Sequence, residues 1–499
     1  MKKWHVFLSF IVGLTLLSSS LPVSAAAADT TSNIQSFEPN SLVKNDGTYW
    51  VWGGDQSVPT QIQGMTDVKT SLGNDFVMKK DGSIWTFERN QSLSMTSIHE
   101  VKGLSSNISS IYYPIWNEIF VLDTNGKVYT SVHTADKLDP TQFVQLMGID
   151  NVTSISSYYE YNQQGGEWCS IFLKKDGTVW KSNDSLQSFK PLSSLNDITA
   201  IDRNFALKKD GTVWTWPNEI SEKVAPVNTT PTKISGLRNI KTIKSNGNTN
   251  LIIDDQSRLW FWGATITGWS DGTTYHEEKV PVLLTNVKNV KDAFIIERTL
   301  VVLTQSGNVY ETSIEGTSLS GNAKFTLLTS GVDQIKQGYR SVIMQKGDKT
   351  LWGWGVNKDA QLGYGDYEFM HSSVVPMQKP VSVHLNGTSV ALNNGVIIQK
   401  SQAFIPLRSV FEKLGATITF DNLTKVVTIT RSDVGMPPLT ISINYKSGVV
   451  TVNNKVMTLQ NTPFSVNGTS YLPLRFISET LGATVDWVQK DDKISITMK

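Results

Sequence analysis

The string LKKDGTVW occurs twice in this sequence without a change, at residues 173–180 and 207–214, and looser versions of its last five letters recur across the first three-quarters of the chain. Eight copies end in an aromatic residue: Trp50, Trp85, Tyr129, Trp180, Trp214, Trp260, Tyr310 and Trp352. They follow one another at intervals of 34 to 51 positions, a spacing typical of β-propeller blades, which bury a core only by stacking on their neighbours. The repeat therefore predicts a mainly β fold, a β-propeller of eight units, with seven blades as the alternative.

Each copy places an Asp-Gly-type pair between two stretches of alternating apolar residues, which predicts a β-hairpin with a two-residue turn at positive φ. Two copies lack the glycine, at Ser257 and Lys349, and a different turn is expected there. A second pair of short apolar strands separates the hairpins, for example residues 231–234 and 239–243, joined by Ser-Gly-Leu. One hairpin and one such pair supply the four strands of a blade.

The two ends of the repeat region predict how the ring closes. Residues 33–37 match the fourth strand of a blade, and residues 374–377 match the third. We therefore expect one blade to combine strands from both ends of the region, which would seal the ring and remove its open edge.

Residues 351–366, LWGWGVNKDAQLGYGD, contain Trp-Gly, Asn, Gln-Leu-Gly and Gly-Asp in that order. With this signature, residues 34–378 resemble the regulator of chromosome condensation repeat family, whose usual ring has seven blades. That family includes a nuclear guanine-nucleotide exchange factor, a role that a secreted chain of near-neutral charge would not share. A closer functional analogue is the secreted bacterial propeller that inhibits β-lactamase by binding it.

Pairs of tryptophans two positions apart occur four times in the repeats: Trp50 with Trp52, Trp214 with Trp216, Trp260 with Trp262, and Trp352 with Trp354. A spacing of two places both rings on one face of a strand. Two interpretations follow, a sugar-binding platform or the core between adjacent blades. Core packing is favoured because the apolar faces of neighbouring blades have to be filled.

Alternating strand direction predicts two different faces of the ring. The Asp-Gly tips and the Ser-Gly-Leu turns would share one face, and the longest, most aromatic connections would share the other. Aromatic residues are enriched on recognition surfaces; the alternative is that these connections are insertions with their own local packing. The candidate binding residues are Tyr112, Tyr113, Trp116, Tyr159, Tyr161, Trp168, Trp269, Tyr275, Tyr364 and Tyr367.

A different duplication begins after Pro380, because residues 404–416 repeat at residues 471–483 with a constant offset of 67. Each copy predicts a strand, a short helix that starts after proline and ends at glycine, and a hairpin, so that both halves form one small α+β domain. These residues resemble the N-terminal stalk domain of copper amine oxidases. Copper chemistry does not follow, since residues 381–499 contain one histidine, His384. Arg408 is interpreted as the partner of Glu412 within a helix rather than as a ligand-binding residue.

The chain ends and the overall composition indicate a secreted bacterial protein. Lys2 and Lys3, an apolar run and a small-residue site predict a signal peptide at residues 1–25, followed by a linker at 26–33, the propeller at 34–378 and the stalk domain at 379–499. Formal net charge is +1, which argues against nucleic acid or anionic membrane as the main partner. Cys169 is the single cysteine, so no intramolecular disulfide can form, and a buried apolar role is expected for it.

Motifs of catalysis and metal binding are missing from the sequence, so no catalytic residue, metal ligand or cofactor is predicted. The expected function is non-catalytic binding of a protein or of an extracellular or cell-wall glycan, with the stalk domain as a spacer, attachment or dimerisation module. One alternative is a secreted enzyme that acts on glycans, and another is a purely structural envelope protein. For the enzyme, the acids to test are Glu160, Glu167, Asp271 and Glu277.

Overall fold

The computed structural model describes residues 33–73, 75–89, 95–105, 107–115, 118–134, 137–162, 165–183, 186–216, 230–246, 249–265, 276–316, 318–432 and 438–498. The predicted signal peptide and the linker, apart from Asn33, lie outside these residues.

Before residue 378, the described strands form eight antiparallel sheets, and each sheet contains four strands that are consecutive in the chain. We call these sheets blades 1 to 8. Blades 1 to 4 contain β1 (Ile34–Glu38), β2 (Ser41–Lys44), β3 (Tyr49–Gly53), β4 (Gln56–Gln61), β5 (Val68–Gly73), β6 (Phe76–Lys79), β7 (Ile84–Arg89), β8 (Met95–Glu100), β9 (Ile108–Ile115), β10 (Glu118–Asp123), β11 (Val128–Thr134), β12 (Lys137–Gln145), β13 (Val152–Asn162), β14 (Gly165–Lys174), β15 (Val179–Asn183) and β16 (Lys190–Pro191). Blades 5 to 8 contain β17 (Ile198–Asp202), β18 (Phe205–Lys208), β19 (Val213–Thr215), β20 (Thr232–Lys233), β21 (Ile240–Ser245), β22 (Thr249–Asp254), β23 (Leu259–Ala264), β24 (Glu277–Leu284), β25 (Val290–Ile296), β26 (Thr299–Thr304), β27 (Val309–Ser313), β28 (Thr326–Thr329), β29 (Val332–Gln337), β30 (Ser341–Lys346), β31 (Leu351–Val356) and β32 (Met370–Pro376). The prediction of a mainly β propeller with eight units is confirmed.

The blades divide the repeat at a different point from the one predicted. The short strands β20 and β21 lie in blades 5 and 6, so the Ser-Gly-Leu turn between them connects two blades. The predicted blade made from both ends is also wrong, because β1 pairs with β2 and β32 pairs with β31. The physical reason is local connectivity: a strand that is followed by a tight turn pairs with its chain neighbour at a much lower entropic cost than with a distant strand.

The ring closes through side chains instead. Between each blade and the next, the described residues form an apolar cluster, and the eighth cluster lies between blade 8 and blade 1. This last cluster joins Phe37 and Trp52 to Ile343 and Leu351. The Nε1 atom of Trp52 also donates a hydrogen bond to the carbonyl oxygen of Gln361 at 2.9 Å. Each blade therefore has both faces covered, including the first and the last.

Every described hairpin tip has the same turn. In blade 1 the N–H of Gly47 donates to the carbonyl of Lys44 at 2.9 Å, and the N–H of Lys44 donates to the carbonyl of Thr48 at 3.0 Å. Only the residue at the glycine position has positive φ, which defines a three-residue loop with a glycine bulge instead of the predicted two-residue turn. Ser257 and Lys349 adopt the same turn with φ of 58° and 66°. A different turn at these two sites is therefore wrong, because the left-handed region admits an L residue at a cost of about 1–2 kcal/mol.

The C-terminal domain contains three sheets and, among its described residues, two α-helices. Its elements are β33 (Ser382–Leu385), β34 (Thr388–Ser389), β35 (Ile397–Gln399), β36 (Gln402–Pro406), α1 (Leu407–Phe411), β37 (Thr417–Asp421), β38 (Val426–Arg431), β39 (Leu439–Asn444), β40 (Val450–Val452), β41 (Lys455–Met457), β42 (Phe464–Val466), β43 (Thr469–Pro473), α2 (Leu474–Leu481), β44 (Ala483–Val488) and β45 (Lys493–Met498). Strands β36 and β43 pair antiparallel, and Ile405 lies opposite Leu472, its equivalent in the other copy. The duplicated halves thus meet at their matching strands and share one core, which confirms the predicted α+β domain.

The C-terminal domain packs against blade 1. Val58 of β4 lies in an apolar cluster with Ile397, Phe404 and Tyr471 of that domain. A Cβ atom built on Gly395 would lie 2.2 Å from the carbonyl oxygen of Pro59, so the two backbones are as close as glycine permits.

Polar contacts extend the same interface. The Nδ2 atom of Asn394 donates to Ser57 Oγ at 3.0 Å. The Nζ atom of Lys44 donates to the carbonyl oxygen of Asp491 at 2.9 Å. Lys44 is 2% exposed, and burial lowers its pKa despite the nearby aspartates. A buried lysine that satisfies a carbonyl is a specific contact, and the domain is therefore seated in a defined position.

Candidate functional site

The alternating strands give the propeller two faces. The hairpin tips and the turns between blades lie on one face, the tip face, and the other connections lie on the opposite face, the loop face. On the tip face, the N–H of Val68 in blade 2 donates to the carbonyl of Gly47 in blade 1 at 2.9 Å. The same bond joins Ile240 to Gly211 at 3.0 Å. The predicted division into two faces is confirmed, and these hydrogen bonds join the tips to the neighbouring blades.

The repeated Asp-Gly-Thr-x-Trp sequence forms a chain of hydrogen bonds from tryptophan to threonine to aspartate, which we call the relay; the lysine two residues before the aspartate is the relay lysine. In blade 4, the N–H and the hydroxyl of Thr178 donate to Asp176 Oδ1 at 3.0 and 2.6 Å. Trp180 Nε1 donates to the Thr178 hydroxyl oxygen at 3.1 Å, and Lys174 Nζ lies 5.2 Å from the centroid of the same ring. Four other described tips repeat the relay: Asp46, Thr48 and Trp50; Asp81, Ser83 and Trp85; Asp210, Thr212 and Trp214; Asp348, Thr350 and Trp352.

The tip aspartates are engaged within their own turns. The serine or threonine hydroxyl, together with the backbone N–H, lowers the pKa of Asp81, Asp176, Asp210 and Asp348. A carboxylate that accepts two such bonds is stabilised in its ionised form. These aspartates therefore build turns, as the sequence pattern indicates.

Two of the three copies that lack the tip aspartate carry a carboxylate elsewhere in the turn. Asp254 occupies the position of the relay lysine, and its Oδ1 accepts the backbone N–H groups of Gln256 and Arg258, both at 3.0 Å. Its Oδ2 accepts Arg258 Nε at 2.7 Å and Trp260 Nε1 at 3.1 Å. Asp123 accepts two tip N–H groups in the same way. In these two copies the acidic and basic residues occupy different positions of the tip, and the hydrogen-bonded turn is the same.

The paired tryptophans belong to the core. Their second members, Trp52, Trp216, Trp262 and Trp354, are buried in the clusters shared with the preceding blade. Packing between blades is confirmed, and a sugar platform on these four rings is wrong because they are at most 8% exposed.

Four of the predicted binding residues have described side chains in blades 3 and 4. Tyr112 is half-buried against the cluster between these blades. Tyr113 is 44% exposed, and its ring centroid lies 6.4 Å from that of Phe76. Tyr159 and Trp168 face each other across β13 and β14 with their centroids 5.4 Å apart. The predicted loop around these last two residues is a long β-hairpin, and it brings the two rings into one edge-to-face pair.

Tyr364 and Tyr367 lie in the connection between β31 and β32, which folds onto blade 1. Tyr364 packs at the edge of the cluster between blades 8 and 1, 5.3 Å from the ring centroid of His371. The Tyr367 hydroxyl donates to the carbonyl of Gly54 at 2.7 Å. Both rings are used in contacts within the chain, which matches the alternative of local packing for this connection.

Three predicted binding residues, Trp116, Trp269 and Tyr275, lie outside the described residues. Tyr161 lies in β13, and its side chain is not among those described. A binding role for these four residues stays a prediction.

Sequence reasoning missed the loop-face residues of blade 8. Tyr339, in the connection between β29 and β30, is 95% exposed, and Phe369 before β32 is 61% exposed. Tyr339 also lines a cleft of about 610 Å³ between blades 8, 1 and 2, together with Asn40, Asp75 and Asp359. The Gly-Tyr-Arg sequence at residues 338–340 was the available signal, because an aromatic residue in a tight connection has little room to be buried.

Among the acids considered for catalysis, the structure brings Glu160 and Glu167 together. One carboxylate oxygen of each lies within 4.8 Å of the other and of Cys169 Sγ. Glu160 is 8% exposed, accepts the Tyr158 hydroxyl at 2.8 Å and forms an ion pair with Lys181.

The remaining acids and the cysteine are placed differently. Glu277 lies exposed in β24, and Asp271 lies outside the described residues. Cys169 is fully buried, and burial with the nearby Glu160 carboxylate raises the pKa of its thiol to about 12. The thiol is therefore protonated, and its buried position confirms the sequence interpretation.

Neither of the described helices is long and apolar enough to cross a membrane.

The C-terminal domain is similar to a known protein family. Residues 384–496 match the family model described as "Copper amine oxidase N-terminal domain", and the resemblance is confirmed over those residues. The whole chain finds no match among curated proteins.

Several solved structures are similar to this chain. Human WBSCR16 has 15% identity and a TM-score of 0.40, covering 65% of this chain and 85% of that one. Yeast RCC1 (Prp20), crystallised with Kap60, has 13% identity and a TM-score of 0.38, covering 66% and 83%. The computationally designed Ika8 protein has 15% identity and a TM-score of 0.38, covering 65% and 97%.

Proposed function

We propose that this chain is a secreted, non-catalytic binding protein of a bacterium, whose loop face recognises an extracellular protein or a glycan. The observation that carries the proposal is the set of exposed aromatic side chains on that face, of which Tyr339 is 95% exposed, Phe369 61% and Tyr113 44%. Exposed aromatic rings provide a large contact area at low entropic cost, and they dominate many recognition surfaces.

The cleft between blades 8, 1 and 2 also favours the loop face as the recognition surface. Its volume of about 610 Å³ lies within the range of ligand-binding clefts. Tyr339 stands at this cleft, next to the polar side chains of Asn40, Asp75 and Asp359. A partner that covers the exposed rings would therefore also meet polar groups that fix its orientation.

The two chain ends support the remaining parts of the proposal. The basic, apolar and small-residue pattern of residues 1–25 is typical of an export signal. The C-terminal domain is seated on blade 1 through Lys44 and Val58, which favours a role as an attachment or dimerisation module over that of a spacer held away from the propeller.

The test replaces Tyr113, Tyr339 and Phe369 together by alanine. The full-length protein is incubated with purified cell wall, culture proteins and a glycan panel, and its retention is measured. We expect at least about a tenfold loss of retention, because aromatic anchors contribute about 2 kcal/mol or more at interfaces.

The matched control changes the tip face. Met147 is 76% exposed in a turn between blades, and Met147→Ala combined with Lys175→Ala truncates two exposed side chains on that face. Retention that falls equally in both variants, or that survives the loop-face substitutions, would contradict the proposal.

Glu160 and Glu167 favour a second candidate, a secreted glycan hydrolase. Their carboxylate oxygens lie within 4.8 Å, near the separation of about 5–5.5 Å found in retaining glycosidases. The ion pair of Glu160 with Lys181 and its burial weigh against substrate access. Release of a soluble sugar by the native protein, abolished by Glu167→Gln, would establish this candidate in place of the first. If the protein shows no retention and releases no product, the result would favour a structural envelope protein.

A further inference from the structure

A second cleft lies in the C-terminal domain, away from the loop face of the propeller. It has a volume of about 580 Å³ and lies between the five-stranded sheet of β37 to β41, helix α1 and the β42–β43 hairpin. Its apolar lining comes from Leu407, Ile418, Phe420, Val427 and Tyr445. We call it the basic cleft because of its charged residues.

Three cations line the basic cleft: Arg408, Lys425 and Lys446. The described lining residues include no aspartate or glutamate. Neither lysine forms a salt bridge with any described residue. Arg408 Nε lies 3.7 Å from a carboxylate oxygen of Glu412, with both side chains more than half exposed, so this pair holds the guanidinium weakly. Lys446 Nζ donates to the carbonyl oxygen of Leu423 at 3.1 Å and interacts electrostatically with the Asp421 carboxylate, and Lys425 Nζ donates to Asn422 Oδ1. The cleft therefore presents three cations to a ligand, and their charge is only partly offset by Glu412 and Asp421.

Aromatic and hydroxyl groups accompany the cations. Phe420 is 53% exposed on the wall of the cleft. The Tyr445 hydroxyl is buried and makes no hydrogen bond of standard geometry within the described part of the chain. Burial raises the pKa of Tyr445 to about 12, so this hydroxyl is protonated. Asn393 and Ser465 add further polar groups to the lining.

The duplication shows that Lys425 is peculiar to the first copy, whereas Arg408 has an equivalent in Arg475. Lys425 and Phe420 correspond, at the offset of 67, to Asp492 and Trp487 in the second copy. Asp492 is 7% exposed and lies 3.8 Å from Lys379 Nζ, next to the residues that contact blade 1. Both copies contact blade 1, the first through Asn394 and Ile397 and the second through Tyr471 and Asp491. Lys425 of the first copy remains exposed on the cleft.

We infer that the basic cleft binds an anionic saccharide, whose carboxylate or phosphate is held by Arg408, Lys425 and Lys446 and whose sugar ring lies on Phe420. Guanidinium and ammonium groups are the usual partners of both anions. An apolar floor with a few polar groups around it is typical of small-molecule sites. The inference does not depend on the proposed function, because the cleft and the loop face have no residue in common.

The experiment measures binding to the full-length protein by isothermal titration calorimetry. The probes are trigalacturonate, which carries carboxylates, a glycerol-phosphate oligomer, which carries phosphates, and neutral maltotriose. We expect one or both anionic probes to bind, with affinity that falls as salt rises from 50 to 500 mM, and maltotriose to bind at least about tenfold more weakly. The preferred anionic probe identifies which anion the cleft takes.

Variants distinguish binding in the basic cleft from nonspecific attraction to positive charge on the domain. Lys425→Gln with Lys446→Gln is expected to weaken the anionic probe at least about fivefold, because two exposed charge contacts are lost. Phe420→Ala is expected to weaken it as well. The control is Arg475→Gln with Lys490→Gln, which removes two exposed charges from the second copy of the same domain.

Thermal unfolding shows whether each variant is folded, and exposed side chains of this kind are expected to leave the midpoint unchanged. The inference is overturned if neither anionic probe binds, if maltotriose binds equally well, or if the cleft variant and the control variant behave alike. Loss of loop-face binding in the tyrosine and phenylalanine variant, with saccharide binding intact, would show that the two surfaces act separately.

Discussion

Substitution of Gly211 by alanine tests whether the hairpin tips hold adjacent blades together. Gly211 lies at the tip of blade 5 with φ of 77°, and a Cβ atom there would lie 2.7 Å from Asn239 Cα and 2.9 Å from Asn239 N. The carbonyl of Gly211 also accepts the N–H of Ile240 at 3.0 Å. The neighbouring backbone cannot move away without stretching this bond, so the substitution should push blade 6 from blade 5.

The expected cost has two parts. An alanine in the left-handed region costs about 1–2 kcal/mol, and overpacking against a fixed neighbour adds about 1–3 kcal/mol. Gly211→Ala should therefore lower the free energy of unfolding by about 2–5 kcal/mol. Gly236 is a matched control, since it lies in the turn between the same two blades with φ of 84°, and a Cβ there meets nothing within 4 Å. Gly236→Ala should cost only about 1–2 kcal/mol.

The assay is urea unfolding of the full-length protein, followed by tryptophan fluorescence, with the midpoints of the two variants compared at an unchanged slope. Ser257 shows that an L residue is accommodated at the equivalent tip of blade 6 with φ of 58°. Equal destabilisation by both variants would mean that the tip of blade 5 relaxes to that geometry. The reasoning that close contact holds the blades together would then be refuted.

Three further predictions concern the relay, its acids and the domain interface. Thr212→Val should destabilise the protein by about 1–2 kcal/mol because Trp214 Nε1 loses its acceptor, whereas Thr212→Ser should be nearly neutral in urea unfolding; equal losses would contradict the relay. The hydroxyl bond lowers the pKa of Asp176 below its ordinary value of 3.8, so its contribution to stability is present above about pH 4 and is lost as pH falls further. The urea midpoint of the Asp176→Asn variant should therefore fall less steeply below pH 4 than that of the wild-type protein. Equal pH dependence of the two midpoints would contradict the stabilising role of this carboxylate. Gly395→Ala, whose Cβ would meet the Pro59 carbonyl at 2.2 Å, should loosen the C-terminal domain and speed proteolysis between the domains; wild-type resistance would show that the interface adapts.

The repeat was sufficient to predict blades, because its signals are local. The relay of Asp176, Thr178 and Trp180 lies within one turn, and period-two alternation specifies a strand whatever surrounds it. The same locality explains the errors. Strand β20 and strand β21 are joined by a short turn that looks like a hairpin, and only the stacking of blades decides that they lie in different sheets.

Local sequence patterns are also insufficient to predict which candidate binding residues are exposed. Tyr159 and Tyr367 belong to one class of aromatic connection in the sequence, yet the first lies in a cross-strand pair and the second donates a hydrogen bond to Gly54. No sequence pattern distinguishes Tyr339, although it is among the most exposed aromatic residues described. Exposure depends on which distant segments cover a residue, and no local pattern records that.

The LKKDGTVW string and its relatives by themselves predicted the hairpins, the position of the tryptophan in each and a count of eight repeat units, since each depends on residues close together in the chain. The loop at each tip has three residues, one more than the pattern predicted. The tertiary structure decided how the ring closes, that Lys44 of blade 1 is buried under the C-terminal domain, and that a cationic cleft forms between elements of both halves of that domain. Those outcomes depend on contacts between residues far apart in the chain. Repeats with the same tip sequence can differ in burial and in contacts, because different distant segments pack against them.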